Sequence, residues 1–370
     1  MRPGEEVSAS FARRLIQWQR EHGRSGLPWQ GTRDPYRVWL SEIMLQQTQV
    51  STVLDYFPRF LGRFPDVTAL AEADEDEVMA LWSGLGYYSR ARNLHRCAQI
   101  VVAAHGGRFP SSAKTLQTLP GIGASTAAAI AAFCFGERVS ILDGNVKRVL
   151  TRVLAYDGDV ATTASQKHLW AVAQSLLPEA PSVDDMACYT QGLMDLGATL
   201  CTRTRPSCDR CPMRTLCQGM DSGDPARFPV KSRRLKRRHE SWWLVVVLTH
   251  DADGREVVWL ERRPARGIWA GLYCTPVVSS EDEASDLVAS STANDPPGLC
   301  FPPPVSHSLT HRELLLHPVV ARFEQPDGWL ASPGGSQSAL GRWVPMDSLD
   351  AWGLPAPLRG VLARASVSAH

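Results

Sequence analysis

From Phe11 to Leu177 apolar residues recur at helical spacing, and beyond Glu240 they fall instead into short runs with the period of strands. Phe11, Leu15, Ile16 and Trp18 predict an amphipathic helix that Gly23 to Pro28 ends. Asp34-Pro35 starts a second helical tract, along which Trp39, Ile43, Val50, Leu54 and Phe57 make one stripe while Glu42, Gln46 and Gln49 share another face. Leu61 to Gly106 continues in helices broken at Gly62, Pro65 and Gly84-Leu85-Gly86. The alanine-rich run Thr126 to Ala132 has the composition of a closely packed helix, and Val146, Val149, Leu150, Val153 and Leu154 mark another. Ala164 to Asp195 adds further helix, with Trp170, Val172, Leu176 and Leu177 expected to face inward. After Arg227 to Arg238, which carries seven basic residues and no acid, the period changes. Trp242–Leu248 and Glu256–Glu261 read as strands joined at Asp253-Gly254, with Val319–Phe323 and Trp343–Met346 as later strands of a smaller, mixed α/β unit.

Composition bounds this picture. A chain of 370 residues, 44% hydrophobic, buries substantial cores and divides into two or three domains. No apolar run approaches the length of a membrane span, and Met1 to Ser10 lacks the apolar core of a signal peptide, so a cytoplasmic protein with no membrane partner is expected. The net charge of +1 identifies no partner, because near-neutrality can hide a basic face. Of nine cysteines, Cys97, Cys134, Cys188, Cys274 and Cys300 are scattered and read mostly as buried thiols. Cys201, Cys208, Cys211 and Cys217 form C-x6-C-x2-C-x5-C among Arg203, Arg205, Arg210 and Arg214. With no export signal, disulfides are disfavoured; four thiolates could hold a tetrahedral zinc or a [4Fe-4S] cluster, and spacing leaves both open.

The densest chemistry lies in Leu119 to Arg152. Gly121 and Gly123 make a tight turn at a helix start, where exposed N–H groups can take a phosphate oxygen. Asp143 precedes Gly144-Asn145 and the next helix. It reads as an N-cap, and a cap carboxylate is also oriented to stabilise a developing cation. The amides of Gln46, Gln47 and Gln49 beside Glu42 suit base edges or an extrahelical nucleotide, the alternative being a solvated face. Tyr87-Tyr88-Ser89-Arg90 follows a Gly-x-Gly turn; one tyrosine is expected in the core and the other to wedge into a base stack while Arg90, Arg92 and Arg96 hold phosphates.

Together WLSEIMLQQTQV (Trp39–Val50), GLGYYSRARNL (Gly84–Leu94), LPGIG with ILDGNVKRV (Leu119–Val149) and the four-cysteine loop resemble the MutY family of adenine DNA glycosylases, over essentially the whole chain. The hairpin plus downstream Asp143 is similar to the helix-hairpin-helix DNA glycosylases in general. The resemblance implies a multidomain fold: an all-α helix-hairpin-helix glycosylase core with an iron–sulfur loop, plus a C-terminal α+β Nudix-like domain. It divides the chain into a helical catalytic region over 1–218, a basic linker over 219–239 and a Nudix-like domain over 240–370. Within the first, a six-helix hairpin subdomain takes about 30–135, and an iron–sulfur subdomain takes 1–29 with 136–218.

The same resemblance implies a monomeric base-excision-repair enzyme that removes adenine opposite 8-oxoguanine or guanine in double-stranded DNA, in the bacterial cytoplasm at the nucleoid. Glu42 would protonate the leaving base, which predicts a raised carboxyl pKa, and Asp143 would stay ionised against the sugar cation. Cys201, Cys208, Cys211 and Cys217 would carry [4Fe-4S]. Gln47 and Tyr87 would fill and wedge the helix, Gly121, Gly123, Ser125 and Asn145 would contact DNA, and Leu27 and Trp29 would line the adenine pocket. Related glycosylase/lyases have a lysine where this chain has Ser125, which implies a monofunctional enzyme that leaves an abasic site.

RPARGIWAGL (Arg263–Leu272) matches the Nudix-like domain, yet no glutamate-rich metal helix follows in Val277 to Gly298, so a reader of 8-oxoguanine is expected rather than a hydrolase. Leu309, Thr310 and His311 fall where the family commonly has Phe-Ser-His. Two other readings stay open: an endonuclease-III-like pyrimidine glycosylase/lyase, and a non-catalytic iron–sulfur DNA-binding protein.

Overall fold

The structure is a computed structural model that describes residues 5–232, 237–291, 296–326, 329 and 341–367. Residues 233–236 of the expected basic linker lie outside the described residues. Two compact units form: one from Met1–Glu72 and Asn93–Arg234, the other from Ala73–Arg92 and Leu235–His370.

The helices in chain order are α1 (Glu5–His22), α2 (Pro35–Leu45), α3 (Val50–Arg63), α4 (Val67–Glu72), α5 (Glu75–Trp82), α6 (Ser89–His105), α7 (Ala113–Leu116), α8 (Ala124–Phe135), α9 (Gly144–Val153), α10 (Thr163–Ser175), α11 (Val183–Asp195) and α12 (Gln218–Asp221). α5 and the start of α6 belong to the second unit. Asp34 starts α2, its carboxylate accepting from Tyr36 N–H at 2.9 Å with Pro35 at the first helical position. α2 and α3 are two helices, not the single striped tract expected. Gln46 and Gln49 are extended and Gln47 is left-handed at φ 59°, so the amide-rich run is a loop and its side chains share no helix face. Leu54, expected in the apolar stripe, is exposed. Trp170, expected to face inward, is only partly buried at the edge of the core.

α1, α8, α9, α10 and α11 surround one core that includes Phe11, Leu15, Val149, Leu150, Tyr189 and Leu193. Each such large apolar side chain contributes about 1.5–3 kcal/mol on burial. From Ala127 to Ala132 α8 is entirely buried, and its small residues let α2 and α11 approach closely. It ends at Gly136, left-handed at φ +69°, where a Cβ would lie 2.7 Å from Val183 Cγ2.

The second unit holds a mixed sheet built from β1 (Arg238–His250), β2 (Glu256–Arg262), β3 (Tyr273–Cys274), β4 (Val277–Val278), β5 (Leu299–Cys300), β6 (Val305–Ser308), β7 (Arg312–Arg322) and β8 (Gly341–Pro345). Its order is β3-β2-β1-β7-β5, with β4 on β1, β6 on β7 and β8 on β2. β1 and β2 form the expected antiparallel hairpin, while β1 and β7 are parallel with Trp242 opposite Leu316. Val245, Val247 and Val319 pack beneath Ala284 and Val288 of α13 (Glu281–Ser290); α14 (Ala356–Val367) also packs against β6 and β7. Among the described residues no helix is long and apolar enough to cross a membrane.

Candidate active site

Asp143 sits at the N-cap of α9 and accepts from Val146 N–H at 2.7 Å. Ser125, on the first turn of α8, accepts from Leu142 N–H at 3.2 Å, so its hydroxyl braces the residue before Asp143. Glu42, half-buried on α2, is close enough to Asp143 for the two carboxylates to interact. Burial first, and the Asp143 charge second, push the Glu42 carboxyl up from 4.5 to about 8. This is the direction a proton donor requires. Asp143 is also raised by burial, against the lowering effect of the Val146 and Asn145 amides and of Arg148 and Lys147. Helix-end stabilisation is therefore present but does not cancel desolvation, a balance that the reading of Asp143 as a simple ionised cap overlooks. Burial thus favours the protonated Glu42 carboxyl beside a second carboxyl that two backbone amides and two cations pull toward ionisation.

The glycine turn lies at the start of α8. Gly121 and Gly123 are exposed, and Gly121, at φ +76°, sits where a Cβ would meet Asn93 Cβ at 2.9 Å, so only glycine fits. Asn145 is engaged within the protein: Arg148 donates to its Oδ1 at 2.8 Å and to the carbonyls of Gly197 and Cys201 at 2.7 and 2.8 Å.

Gln47 and Tyr87 are both exposed, and both belong to the four non-glycine residues with positive φ among the described residues. A left-handed backbone at a non-glycine residue costs on the order of 1–3 kcal/mol and persists only where the surrounding fold imposes it. Tyr87 Oη shares a 2.8 Å hydrogen bond with Thr310 Oγ1, while Tyr88 is buried and donates to Leu354 O at 3.2 Å. The structure corrects the expectation for the arginines that follow. Arg90 is buried between the Trp82 and Tyr87 rings and donates to the Leu85 and Gly86 carbonyls at 3.1 Å; Arg92 donates to Ala270 O. Only Arg96 of the three stays exposed.

Leu27 is half-buried, and Trp29 is buried edge-on against Phe57 with ring centroids 5.4 Å apart. Leu309, Thr310 and His311 form the β6–β7 turn, where Leu309 N–H donates to Arg312 O at 2.8 Å and Thr310 and His311 are exposed.

Cys201, Cys208, Cys211 and Cys217 line a single cavity together with Arg152, Leu196, Leu200 and Met213. Among the described residues, no three His, Cys, Asp or Glu side chains converge tightly enough for one metal ion. Arg203, Arg205, Arg210 and Arg214 are exposed around the loop.

A model of the HhH-GPD superfamily of base excision DNA repair proteins matches residues 40–175, and a NUDIX domain model matches 245–364. The adenine DNA glycosylase of Buchnera aphidicola subsp. Acyrthosiphon pisum is 35% identical, over 74% of this chain and 76% of its own length. That of Buchnera aphidicola subsp. Schizaphis graminum is 30% identical over 95% and 97%. This chain belongs to the adenine DNA glycosylase family. A thermostable thymine-DNA glycosylase structure, 27% identical, superposes with a TM-score of 0.53, covering 59% of this chain and 98% of that one. The adenine glycosylase relatives thus span both units, whereas this solved structure matches a little over half the chain.

Sequence reasoning missed several residues around the family's site. Arg152 is 1% exposed and donates to Cys201 Sγ at 3.3 Å and to the carbonyls of Thr202, Arg203 and Phe228 at 2.7, 3.0 and 3.1 Å. Its signal was a cation next to the apolar stripe Val149, Leu150 and Val153. Lys147, one turn into α9, has its ammonium lowered first by burial while the Asp143 carboxylate raises it. Asp195, an acid inside the apolar run LMDLGATL, is fully buried.

Proposed function

We propose that this chain excises adenine paired with 8-oxoguanine, and less efficiently with guanine, by monofunctional hydrolysis of the N-glycosidic bond. Membership of the adenine DNA glycosylase family makes it an enzyme of base excision repair, a hydrolase of N-glycosyl bonds that acts on DNA. The single observation supporting the finer reading is the Glu42–Asp143 pair, in which one carboxyl is pushed up to about 8 beside another fixed by the α9 N-terminus. Departure of adenine needs a proton on the base and a negative charge near the electron-poor sugar. Glu42 delivers the proton to the base. Asp143 faces the oxocarbenium-like sugar, and Glu42, now ionised, takes a proton from the attacking water.

Gln47 and Tyr87, both exposed and both with left-handed backbones, fill the duplex where adenine leaves. Gly121 and Gly123 present backbone amides to a phosphate, and Ser125 and Asn145 contact the DNA beside them. Leu27 and Trp29 wall the adenine pocket, and Leu309, Thr310 and His311 read the opposite 8-oxoguanine. With a hydroxyl at Ser125, no amine at that position attacks the sugar, so the product is an abasic site.

Cys201, Cys208, Cys211 and Cys217 fit a [4Fe-4S] cluster. All four sulfur donors line one cavity among apolar residues and the cations Arg152 and Arg214, which suits a cluster held by thiolates. When bound, the cluster supplies a structural anchor for the arginine-bearing loop. A duplex with one A·8-oxoguanine pair, incubated with the protein and then treated with alkali, tests the reading: a break at the adenine position is expected, and an intact strand would refute it.

A further inference from the structure

The segment that carries Leu27 and Trp29 is not held by the core alone. It folds back on itself: Gln30 Nε2 donates to Arg24 O at 3.1 Å, Leu27 N–H donates to Gln30 Oε1 at 3.2 Å, and Gln30 N–H donates to Leu27 O at 2.9 Å. The closed loop is then hooked at one carboxylate. Arg24 donates to Asp195 twice, from its backbone N–H to Oδ2 at 2.9 Å and from Nε to Oδ1 at 2.7 Å, and Gln191 Nε2 adds a third bond to Oδ1 at 2.8 Å.

Asp195 is fully buried, whereas its partner guanidinium is partly exposed. Burying a carboxylate is costly unless it is paired and hydrogen-bonded, so these donors hold one arrangement and alternatives leave a desolvated charge unmet. The acceptor itself cannot drift. Asp195 ends α11, its carbonyl accepts from Thr199 Oγ1 at 2.8 Å, and the chain continues as a single π turn, Leu196–Leu200, closed by Cys201 N–H donating to Leu196 O at 2.7 Å.

We propose that Asp195 is a positioning residue for base excision, setting the Arg24–Gln30 loop through Arg24 so that Leu27 and Trp29 present a preformed wall to the extruded base. The inference rests on reading Leu27 and Trp29 as that wall. A loop hooked by a single buried charge moves as one body when the hook is cut, and a displacement of about 1 Å in a base-holding wall costs on the order of 100-fold in rate.

The test uses the full chain as purified and the variants Asp195→Asn, Arg24→Ala and Arg24→Lys. Three quantities are measured: amide hydrogen exchange of peptides covering residues 23–31, with α8 and α10 peptides of the same unit as reference; single-turnover excision at saturating enzyme; and affinity for a duplex bearing non-cleavable 2′-fluoroadenosine opposite 8-oxoguanine. Asp195→Asn and Arg24→Ala are expected to speed exchange in 23–31 at least tenfold and slow excision roughly 10- to 100-fold, with affinity changed less than about threefold. Arg24→Lys, which keeps the charge and the backbone donor, recovers much of both. Unchanged exchange in 23–31 overturns the hook while leaving the wall reading intact. Faster exchange with undiminished excision overturns the wall reading instead. Exchange that rises in the reference peptides to the same degree makes Asp195 a general structural residue and also overturns the proposal. Should Asp195→Asn fail to fold, Arg24→Ala, at a partly exposed side chain, carries the test. If the unaltered chain excises no adenine, the exchange arm still reads the hook.

Discussion

Replacing Glu42 by Gln keeps the side chain's shape and removes its titration, and two effects of opposite sign follow. A carboxyl titrating at about 8 is roughly nine-tenths protonated at pH 7, whereas at the ordinary 4.5 about 0.3% would be, a factor of about 300 in available acid. Losing the acid altogether should lower single-turnover excision by about 10²–10⁴. Stability moves the other way. Because the folded carboxyl titrates higher than the unfolded one, its protonated form is favoured in the folded chain; that contribution is complete below about 4.5 and is lost as pH rises through about 8. At 1.36 kcal/mol per pKa unit the full effect is on the order of 4–5 kcal/mol, and discounting for the residue's partial exposure leaves about 2 kcal/mol. Gln carries no such penalty. In thermal scans between pH 5 and 9, Glu42→Gln should therefore match the unaltered chain at pH 5 and melt about 4–8 °C higher at pH 8.5, while releasing almost no adenine at any pH. Equal melting points at pH 8.5, or retained excision, would refute the argument that burial creates the acid.

Asp143→Asn keeps an equally good helix cap, so the melting point should change by less than about 1 kcal/mol equivalent while excision falls at least about 10²-fold; a large loss of stability would mean that the cap was its main role. Ser125→Ala leaves the Leu142 N–H without its acceptor and should cost about 1–2 kcal/mol in denaturant unfolding, with slower excision because Leu142 adjoins Asp143. Cys211→Ser should purify with less iron and without the visible absorbance of an iron–sulfur cluster, and iron analysis indistinguishable from the unaltered chain would exclude Cys211 as a ligand. Leu309→Phe restores an aromatic plane to the β6–β7 turn and should widen the ratio of excision rates on A·8-oxoguanine and A·G pairs; an unchanged ratio would remove Leu309 from lesion reading.

Much of the architecture was legible because long periodic segments report burial directly: α1, α8, α9 and the β1–β2 hairpin follow from their apolar spacing. What misled was local backbone geometry. Trp39 to Phe57 keeps a helical stripe across LQQTQ, and apolar spacing cannot register that Gln47 turns left-handed and divides the tract. Charge was misread where burial decided its use: Arg90 and Arg92 look like phosphate ligands in a basic run, yet one lies between two rings and the other binds a carbonyl. The Glu42–Asp143 pair was visible as residue types about a hundred positions apart, but its protonation asymmetry depends on packing. Arg24–Asp195 and Arg152 left only single charges in or beside apolar runs as their trace, because long-range pairing has no sequence period.

A half-buried acid and a capped carboxylate that together hydrolyse the glycosidic bond of mispaired adenine leave a distinct signature in one single-turnover experiment. The unaltered chain and Glu42→Gln are incubated with a duplex carrying one A·8-oxoguanine pair, and each reaction is divided, half treated with alkali and half not. A strand break at the adenine is expected only after alkali, only with the unaltered chain, and at a rate that declines above about pH 8. Efficient breakage without alkali, or undiminished release by Glu42→Gln, would rule this chemistry out.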